Sequence, residues 1–354
     1  MIPLDLWGDL GGFFNTLMQP IYWVISGVLV GFHHMLATIL GKDSGWTWAL
    51  SIVLLTMLTR ACLIPLFVKQ INSMRGMQLL GPKLKELQDK YKDDREKLGQ
   101  ETMNLYQQEG INPMASCLPI LCQSPVFIGL YWVLYGAINN QPTGWWMQQD
   151  ASLVPSLKNA TIFGAPISSR FAAIFSDHAW TAVQTVTVVM IVIMCFSLFW
   201  QQFHLSRKNM PPSALEGPMA QQQKIMIFVF PLMYAFMGTN IPLGVLIYWM
   251  TTNLWTLCQQ TILIRNNPTP GTPAFLDWEE RMRKQGKDPD EILKRRQDKL
   301  DAKRKKKVAK KTAAGKLPPQ AEPKKPTGPV GPSGKPVVQR QQHKKQTRAQ
   351  RKKS

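Results

Sequence analysis

The residue best placed to do chemistry is Arg60, a cation inside an apolar stretch that runs from Trp46 to Lys69. A membrane-spanning helix needs about 20 apolar residues. Arg60 precedes Lys69 by nine residues, roughly 13 Å along a helix, so its guanidinium would lie near the middle of a bilayer. A charge persists there where it faces protein or water, and Thr56 offers a hydroxyl one turn earlier on the same helical face. Alternatively, the helix ends near Pro65 and Arg60 reaches the phosphate headgroups at the membrane surface.

Nucleotide-dependent, metal-dependent and hydrolytic chemistry have no support in the sequence. No Walker A, Rossmann or kinase glycine motif occurs, and neither HExxH nor GxSxG is present. The five cysteines show no CxxC spacing and fall in or beside apolar stretches, which is typical of small buried side chains rather than of a zinc site or a disulfide framework. We therefore predict that the protein is not an enzyme and uses no cofactor or metal.

The charge of the chain is distributed unevenly. Residues 265–354 contain 27 Lys and Arg against 9 Asp and Glu, and so carry +18 of the formal net charge of +20. We predict an all-α membrane protein with a membrane core at residues 46–264 and a basic, disordered tail at residues 265–354, because the tail has too little apolar surface to offset the entropy of folding. No Lys or Arg precedes Lys42, so we expect no secretory signal peptide.

Five apolar segments are predicted to span the membrane, at about residues 46–68, 114–138, 179–203, 225–238 and 242–263. Residues 70–113 have leucines at helical spacing around a polar break, which indicates a helical hairpin. Loops rich in Lys and Arg face the cytoplasm. The hairpin holds eight Lys and Arg if Lys69 is included, whereas the only Lys and Arg of residues 139–178 are Lys158 and Arg170. We therefore expect five spans, with the amino end outside and the carboxyl end in the cytoplasm.

Residues 17–40 allow two placements. Gln19, Ser26 and His33 recur every seven residues, nearly two helical turns, opposite an apolar face. This pattern predicts an amphipathic helix that lies along the outer membrane surface, within an amino-terminal segment at residues 1–45. A true first span is the alternative, because Ser and His side chains can also face other helices.

Polar side chains recur inside the predicted spans. The second span contains Gln123, the third ends in Gln201 and Gln202, and the last contains Asn253. Hydrogen bonding between helices explains such residues in many bundles, and a wet groove around Arg60 is the competing explanation.

The basic tail is expected to bind polyanions, either RNA or anionic lipid headgroups, although a solubilising tail without a partner is the simpler alternative. Its cations are densest at Lys303, Arg304, Lys305, Lys306, Lys307, Lys310 and Lys311.

Four segments resemble the YidC/Oxa/Alb membrane-protein insertases. They are TRACLIPLFVKQINSMRGMQLLGPKLKELQDKY, INPMASCLPILCQSPVFIGLYWVL, QQKIMIFVFPLMYAF and IPLGVLIYWMTTNLW. The resemblance implies a five-helix core with a hydrophilic groove that opens to the cytoplasm and the lipid and is closed outside. The groove arginine of that family falls on Arg60 and its threonine on Thr56. Its glutamine falls on either Gln201 or Gln202, and its aromatic residue after a tyrosine falls on Trp249.

The resemblance also implies a function, that of an insertase and chaperone for integral membrane proteins in the bacterial plasma membrane, acting alone or with a Sec translocon. Its expected partners are nascent membrane proteins, the lipid bilayer, and the ribosome through the tail and the hairpin. We expect neither the large outer domain nor the extra first span of longer members, and no cysteine precedes Cys62 for lipid attachment. Two other functional classes stay open, namely a polytopic anion transporter or channel that uses Arg60 as its site, and a ribosome tether that needs only the tail.

Overall fold

A computed structural model describes residues 5–112, 114, 118–150, 152–171, 180–210, 218–296, 298 and 302. The described part of the chain is mostly helical, with one antiparallel pair of short strands. In chain order the elements are α1 (Asp5–Leu40), α2 (Gly45–Leu79), α3 (Gly81–Lys90), α4 (Arg95–Gln108), α5 (Leu118–Ile138), α6 (Trp145–Gln149), α7 (Leu153–Asn159), β1 (Thr161–Ile162), β2 (Ala165–Pro166), α8 (Ala182–Asn209), α9 (Pro218–Lys224), a π-helical segment (Ile225–Val229), α10 (Phe230–Gly238), α11 (Leu243–Asn266) and α12 (Pro273–Lys284).

Four helical segments among the described residues are long and apolar enough to cross a bilayer: Phe14–Leu40, Gly45–Met74, Leu121–Ile138 and Ala182–Asn209. The last three correspond to the first three predicted spans. Helix α11 is not among the four, and Ile225–Gly238 is a shorter apolar helix. Large apolar side chains are exposed on α8 and α10, such as Phe196 at 64% and Phe236 at 76%. Exposed apolar surface of this extent indicates contact with lipid.

Helix α2 is longer than the predicted first span, because it continues through Pro65 to Leu79. Membrane helices tolerate an internal proline where neighbouring groups satisfy the freed backbone. The helical hairpin of α3 and α4 therefore begins at Gly81 instead of residue 70. In the turn between the two helices, the Asp94 side chain caps α4 by accepting a hydrogen bond from a backbone N–H of its first turn.

The predicted fourth span, residues 225–238, is the second part of a longer helical stretch. Helix α9, the π-helical segment and α10 follow one another without a break from Pro218 to Gly238. Pro231 has no backbone N–H to donate, and the π-helical turns come directly before it. The whole stretch has 21 residues, about 31 Å at the usual helical rise.

Residues 139–150 and 152–171 cover one end of the bundle, which we call the cap end, and we call these residues the cap. The end that carries α3 and α4 is the hairpin end. The cap binds the first turn of α11, where the backbone N–H groups of Leu243 and Gly244 donate to carbonyl groups of the cap at 3.0 and 2.9 Å. The indole of Trp48 in α2 donates to Ser156 of the cap at 3.1 Å. Apolar side chains exposed by at most 1% fill the bundle beneath it: Ile52, Leu55, Leu130, Leu134, Val245 and Leu246. The cap end is therefore densely packed.

Helix α1 packs across the cap end with its polar stripe turned inwards. Ser26 and His33 are 0% and 1% exposed, whereas Ile39 on the apolar face is 80% exposed. A ring nitrogen of His33 lies 2.9 Å from the carbonyl oxygen of Lys42, and a Cβ at Gly144 of the cap would lie 2.5 Å from the Ser26 hydroxyl. Ser26 and His33 of the predicted stripe thus contact protein, whereas Gln19 is exposed.

The ordered part of the chain extends beyond Arg265, where we placed the start of the tail. Helix α12 buries Trp278, which is 2% exposed, and it packs against the hairpin ends of α8 and α11. The backbone N–H of Thr269, in the preceding turn, donates to the Asn209 side chain at 2.9 Å. Residues 289–296 are also helical. The predicted disorder beyond residue 302 concerns residues outside the described part of the chain.

Candidate functional site

A polar cavity of about 440 Å³ lies between α2, α5, α8, α10 and α11, in the half of the bundle nearer the hairpin end. Its lining includes six of the seven residues that the sequence nominated for a groove: Arg60, Gln123, Gln201, Gln202, Trp249 and Asn253. Gln201 and Gln202, about two turns before the end of α8, both line it, so both alternatives for this position face the cavity. The structure therefore brings side chains from four separate predicted spans to one site.

Thr56 is the nominated residue that does not line the cavity. It is fully buried, and its hydroxyl donates to the Ile52 carbonyl at 2.7 Å within α2. The hydroxyl of Thr59 likewise donates within the helix, to the Thr56 carbonyl at 2.9 Å. Both threonines therefore use their hydroxyl protons on the backbone of their own helix.

Arg60 brings an uncompensated positive charge to the cavity. The residue is 6% exposed, and it forms no ion pair with any residue that the structure describes. Its guanidinium carbon lies 4.9 Å from the centre of the Phe67 ring, a cation–π contact that stabilises without neutralising the charge. The buried Nε atom has no hydrogen-bond partner among the described residues. A buried cation with unsatisfied donors requires water or a polar ligand beside it.

Other buried polar atoms of the cavity wall also lack partners within the described chain. They include the side-chain carbonyl oxygens of Gln123 and Gln201 and the amide nitrogen of Asn253. Buried polar groups are almost always hydrogen bonded, and a cavity of this size has room for several water molecules. The arrangement thus supports a hydrated pocket that offers donors and acceptors to an entering polar segment.

Aromatic side chains separate the cavity from the apolar packing at the cap end. Phe127 stacks on Trp249 with ring centres 5.5 Å apart, and Tyr234 lies 5.1 Å from Trp249. Tyr248, which is 1% exposed, accepts a hydrogen bond from the Gln123 side chain. Beyond this wall lies the packed core beneath the cap. The cavity is consequently closed toward the cap end.

Sequence reasoning overlooked most of the aromatic lining, although Trp249 was nominated. Phe67, Phe127, Tyr234 and Tyr248 all line the cavity. Aromatic residues at helical spacing in an apolar helix ordinarily indicate core packing or lipid contact. Sequence position could have identified two of these aromatic residues as cavity lining. Phe67 lies seven residues after Arg60, on the same helical face, and Tyr248 directly precedes Trp249.

The described residues contain no group of three or more His, Cys, Asp or Glu side chains that could hold a metal ion. The seven cations nominated for polyanion binding lie outside the described residues: Lys303, Arg304, Lys305, Lys306, Lys307, Lys310 and Lys311.

Comparison with known proteins finds one matching family and several relatives that share one name. The family described as "60Kd inner membrane protein" matches residues 39–270. A protein of Streptomyces avermitilis named "Membrane protein insertase YidC" is 44% identical over 284 residues, which cover 78% of this chain and 64% of that protein. Proteins of the same name from Bifidobacterium longum and Tropheryma whipplei are 33% and 35% identical, over 76% of this chain in both cases and over 82% and 90% of their own lengths.

Proposed function

The chain belongs to the YidC family of membrane protein insertases, and we propose that it inserts integral membrane proteins into the bilayer and assists their folding. Membership of this family also agrees with the expectation that the protein is not an enzyme. The observation that carries the proposal is the environment of Arg60, a cation without an ion pair among the described residues, in a polar cavity within apolar helices.

The cavity would act by thinning the apolar barrier. Water held by Arg60 and by the amides of Gln123, Gln201 and Asn253 reaches into the half of the membrane on the hairpin side. A short polar segment of a client enters this water and then has only the remaining thickness to cross. The client's apolar segment moves into lipid, and burial of about 20 apolar residues at about 25 cal/mol per Å² supplies the driving force.

No nucleotide is needed in this mechanism. The membrane potential contributes roughly 2.3 kcal/mol per elementary charge per 100 mV, which favours outward movement of acidic segments. A positive charge at Arg60 would also attract such segments into the cavity before they cross.

We propose a five-span topology built from α2, α5, α8, the stretch Pro218–Gly238 and α11, with the hairpin end in the cytoplasm of a bacterial plasma membrane. Charge bias supports this orientation. The only Lys and Arg at residues 139–171 are Lys158 and Arg170, whereas α3, α4 and the turn between them carry Lys83, Lys85, Lys90, Lys92, Arg95 and Lys97.

Helix α1 is proposed to lie along the outer surface. If α1 ran antiparallel to α2 as a sixth span, Tyr22 would lie roughly 30 Å from the turn at Lys42, measured along the helix. Instead, the Tyr22 carbonyl oxygen lies 2.9 Å from where a Cβ of Gly144 would stand, at the cap end. His33 is bonded to the same end at Lys42. These contacts favour a helix that crosses the cap end at an inclination, with its exposed apolar face toward lipid.

The proposed partners are nascent membrane proteins and the ribosome, which the basic tail and the hairpin would contact. A Sec translocon is a further proposed partner, with which the protein would act on some clients and without which it would act on others.

The decisive experiment is insertion of a single-span client with an acidic outer segment into vesicles that contain the purified protein. Intact protein should insert the client, and Arg60→Ala should reduce insertion although the tail is present. Full insertion by Arg60→Ala, with loss only on deletion of the tail, would indicate a ribosome tether instead. Anion flux through client-free vesicles that is lost in Arg60→Ala would favour the transporter or channel.

A further inference from the structure

A second concave site lies at the hairpin end, between the last turns of α8 and α11 and the helix α12. It has a volume of about 430 Å³, and its polar lining includes His204, Lys208, Arg265, Asp277 and Arg281. Three permanent cations thus face one carboxylate. The site lies further along α8 and α11 toward the hairpin end than the polar cavity does, since Lys208 and Arg265 line it whereas Gln201 and Asn253 line the cavity.

Two hydrogen bonds to backbone hold the Arg281 guanidinium in place and leave several of its N–H donors unused. Its Nε donates to the Asp277 carbonyl at 3.3 Å, and its Nη2 donates to the Arg265 carbonyl. A guanidinium has five N–H donors, so these two bonds to backbone fix the plane of the group and leave its other donors for a ligand. This arrangement preorganises a bidentate contact of the kind that arginine forms with phosphate.

The remaining charges of the cleft make it attractive to an anion. Lys208 pairs with Asp277 at 3.0 Å, and this is an exposed pair that contributes little on its own. Arg265 is exposed and forms no ion pair with any described residue. Asp277 is the one carboxylate of the described lining and it pairs with Lys208, so the cleft keeps a net positive charge from Arg265 and Arg281.

The helices that carry these cations present apolar surface leading to the cleft. On α8 the exposed residues Val192, Phe196 and Trp200 follow one another at intervals of four, and His204 and Lys208 continue the same row. Phe196 stacks on Trp200, and Trp200 on His204, with ring centres 6.3 and 6.4 Å apart. A ligand with apolar chains along this row and a phosphate at its end would match both surfaces.

We propose that this basic cleft binds the phosphate of an anionic phospholipid in the leaflet at the hairpin end. Basic pockets between the ends of membrane helices are suited to anionic headgroups. The apolar row on α8 favours a lipid over RNA or a soluble phosphate, because neither of these has chains to cover it. The bound lipid would join α12 to the spans α8 and α11.

The test uses the full-length protein in nanodiscs of equal parts phosphatidylglycerol and phosphatidylcholine. A photoreactive amino acid replaces Thr261, an exposed residue of the cleft wall, and the cross-linked lipid is identified by mass. We expect phosphatidylglycerol adducts in excess of the bulk ratio. The same probe at Val189, on the exposed apolar part of α8, should return the bulk ratio.

Substitutions then test whether the excess of phosphatidylglycerol adducts depends on the cations of the cleft. Arg265→Gln and Arg281→Gln should each lower it about fivefold, equivalent to about 1 kcal/mol per cation. Arg283→Gln is the matched control, because Arg283 is an exposed cation of the same helix that does not line the cleft. Asp277→Asn should raise the excess by releasing Lys208, an increase that misfolding would not produce.

Several results would overturn the proposal. Adducts at Thr261 in the bulk ratio would do so, as would an equal effect of Arg283→Gln and Arg265→Gln. Loss of the excess on adding inorganic phosphate at millimolar concentration would identify a soluble anion as the occupant. Cross-links to RNA in place of lipid, when ribosomes are added, would identify a nucleic-acid contact.

Discussion

The side-chain amide of Gln123 in α5 donates a hydrogen bond to the phenol oxygen of Tyr248 in α11. Both residues line the polar cavity, and Tyr248 is almost fully buried at its cap end. The bond orients the Gln123 amide so that its carbonyl oxygen remains a buried acceptor without a partner among the described residues. One contact therefore joins two helices and also leaves a polar group for water or a client.

Tyr248→Phe should destabilise the protein by about 1–3 kcal/mol, the typical cost of leaving a buried hydrogen-bonding group without its partner. Thermal unfolding of the detergent-solubilised protein would measure the change. Tyr131→Phe is the control, because the Tyr131 ring stacks on Tyr135 with centres 5.8 Å apart and its hydroxyl forms no hydrogen bond with the described residues. Equal melting temperatures for the two variants would show that the Gln123–Tyr248 bond contributes no stability.

Arg60→Lys should retain much of the insertion activity, whereas Arg60→Ala and Arg60→Glu should lose about tenfold or more, the equivalent of about 1.4 kcal/mol. The reason is that lysine keeps the positive charge, although not the planar donors, inside a site that has no counter-charge among the described residues. Insertion yield of a client with an acidic outer segment is the measurement. Lys69→Ala is the control, since Lys69 is an exposed cation of the same helix. If all four variants inserted this client equally well, charge in the cavity would be irrelevant.

The sequence predicts the cavity well where a polar residue stands in an apolar helix. Arg60, Gln123 and Asn253 were recognisable as candidate cavity residues, because burying a polar group costs free energy unless water or a polar partner contacts it. Tyr248 and Phe127 were not recognisable in this way, since an aromatic side chain in an apolar helix can pack in the core, face lipid or line a cavity. The side that an aromatic residue faces depends on helix packing, which a single sequence does not reveal.

Helix α12 was missed for a different reason. Its surroundings are strongly basic, and charge averaged over residues 265–354 predicts disorder. The local pattern is helical, with Pro273 at the start, Ala274 and Trp278 one turn apart, and cations in the last turn. A shorter window would have separated this amphipathic helix from the tail that follows.

Single cysteines at Phe14 and Asp43, in a chain without the native cysteines, should both react with an impermeant reagent added from outside the cell. Both positions are exposed on the protein, and a helix that crosses the cap end keeps its two ends on the outer side. The degree of labelling before and after lysis is the measurement. Labelling of Phe14→Cys only after lysis would make α1 a sixth span.

Gly45→Ala should destabilise the protein, and Gly31→Ala should not. A Cβ at Gly45 would stand 1.9 Å from the Thr161 carbonyl oxygen of the cap, whereas a Cβ at Gly31 meets nothing within 4 Å. Overpacking of this kind costs about 1–3 kcal/mol or more. Alanine at Gly31, inside α1, should instead add about 0.5–1 kcal/mol by favouring the helix. Thermal unfolding of both variants tests the contact between α2 and the cap, and equal melting temperatures would contradict it.

The basic tail should bind ribosomes chiefly through charge. Residues 294–311 concentrate cations around two acids, and each phosphate that they neutralise adds about 0.7–0.9 to the slope of log affinity against log salt concentration. Co-sedimentation of the detergent-solubilised protein with ribosomes should therefore weaken steeply as salt rises. Detergent removes the anionic membrane, which attracts the same cations at about 1 kcal/mol each.

A chain that ends at Gly286 keeps α12 packed on α8 and α11, so its loss of binding would report on the tail and not on a damaged core. We expect this shortened chain to bind more weakly and with a shallower salt dependence. Should it co-sediment as well as the intact protein at every salt concentration, the tail would not be the contact, and the cations of α3 and α4 would become the candidates.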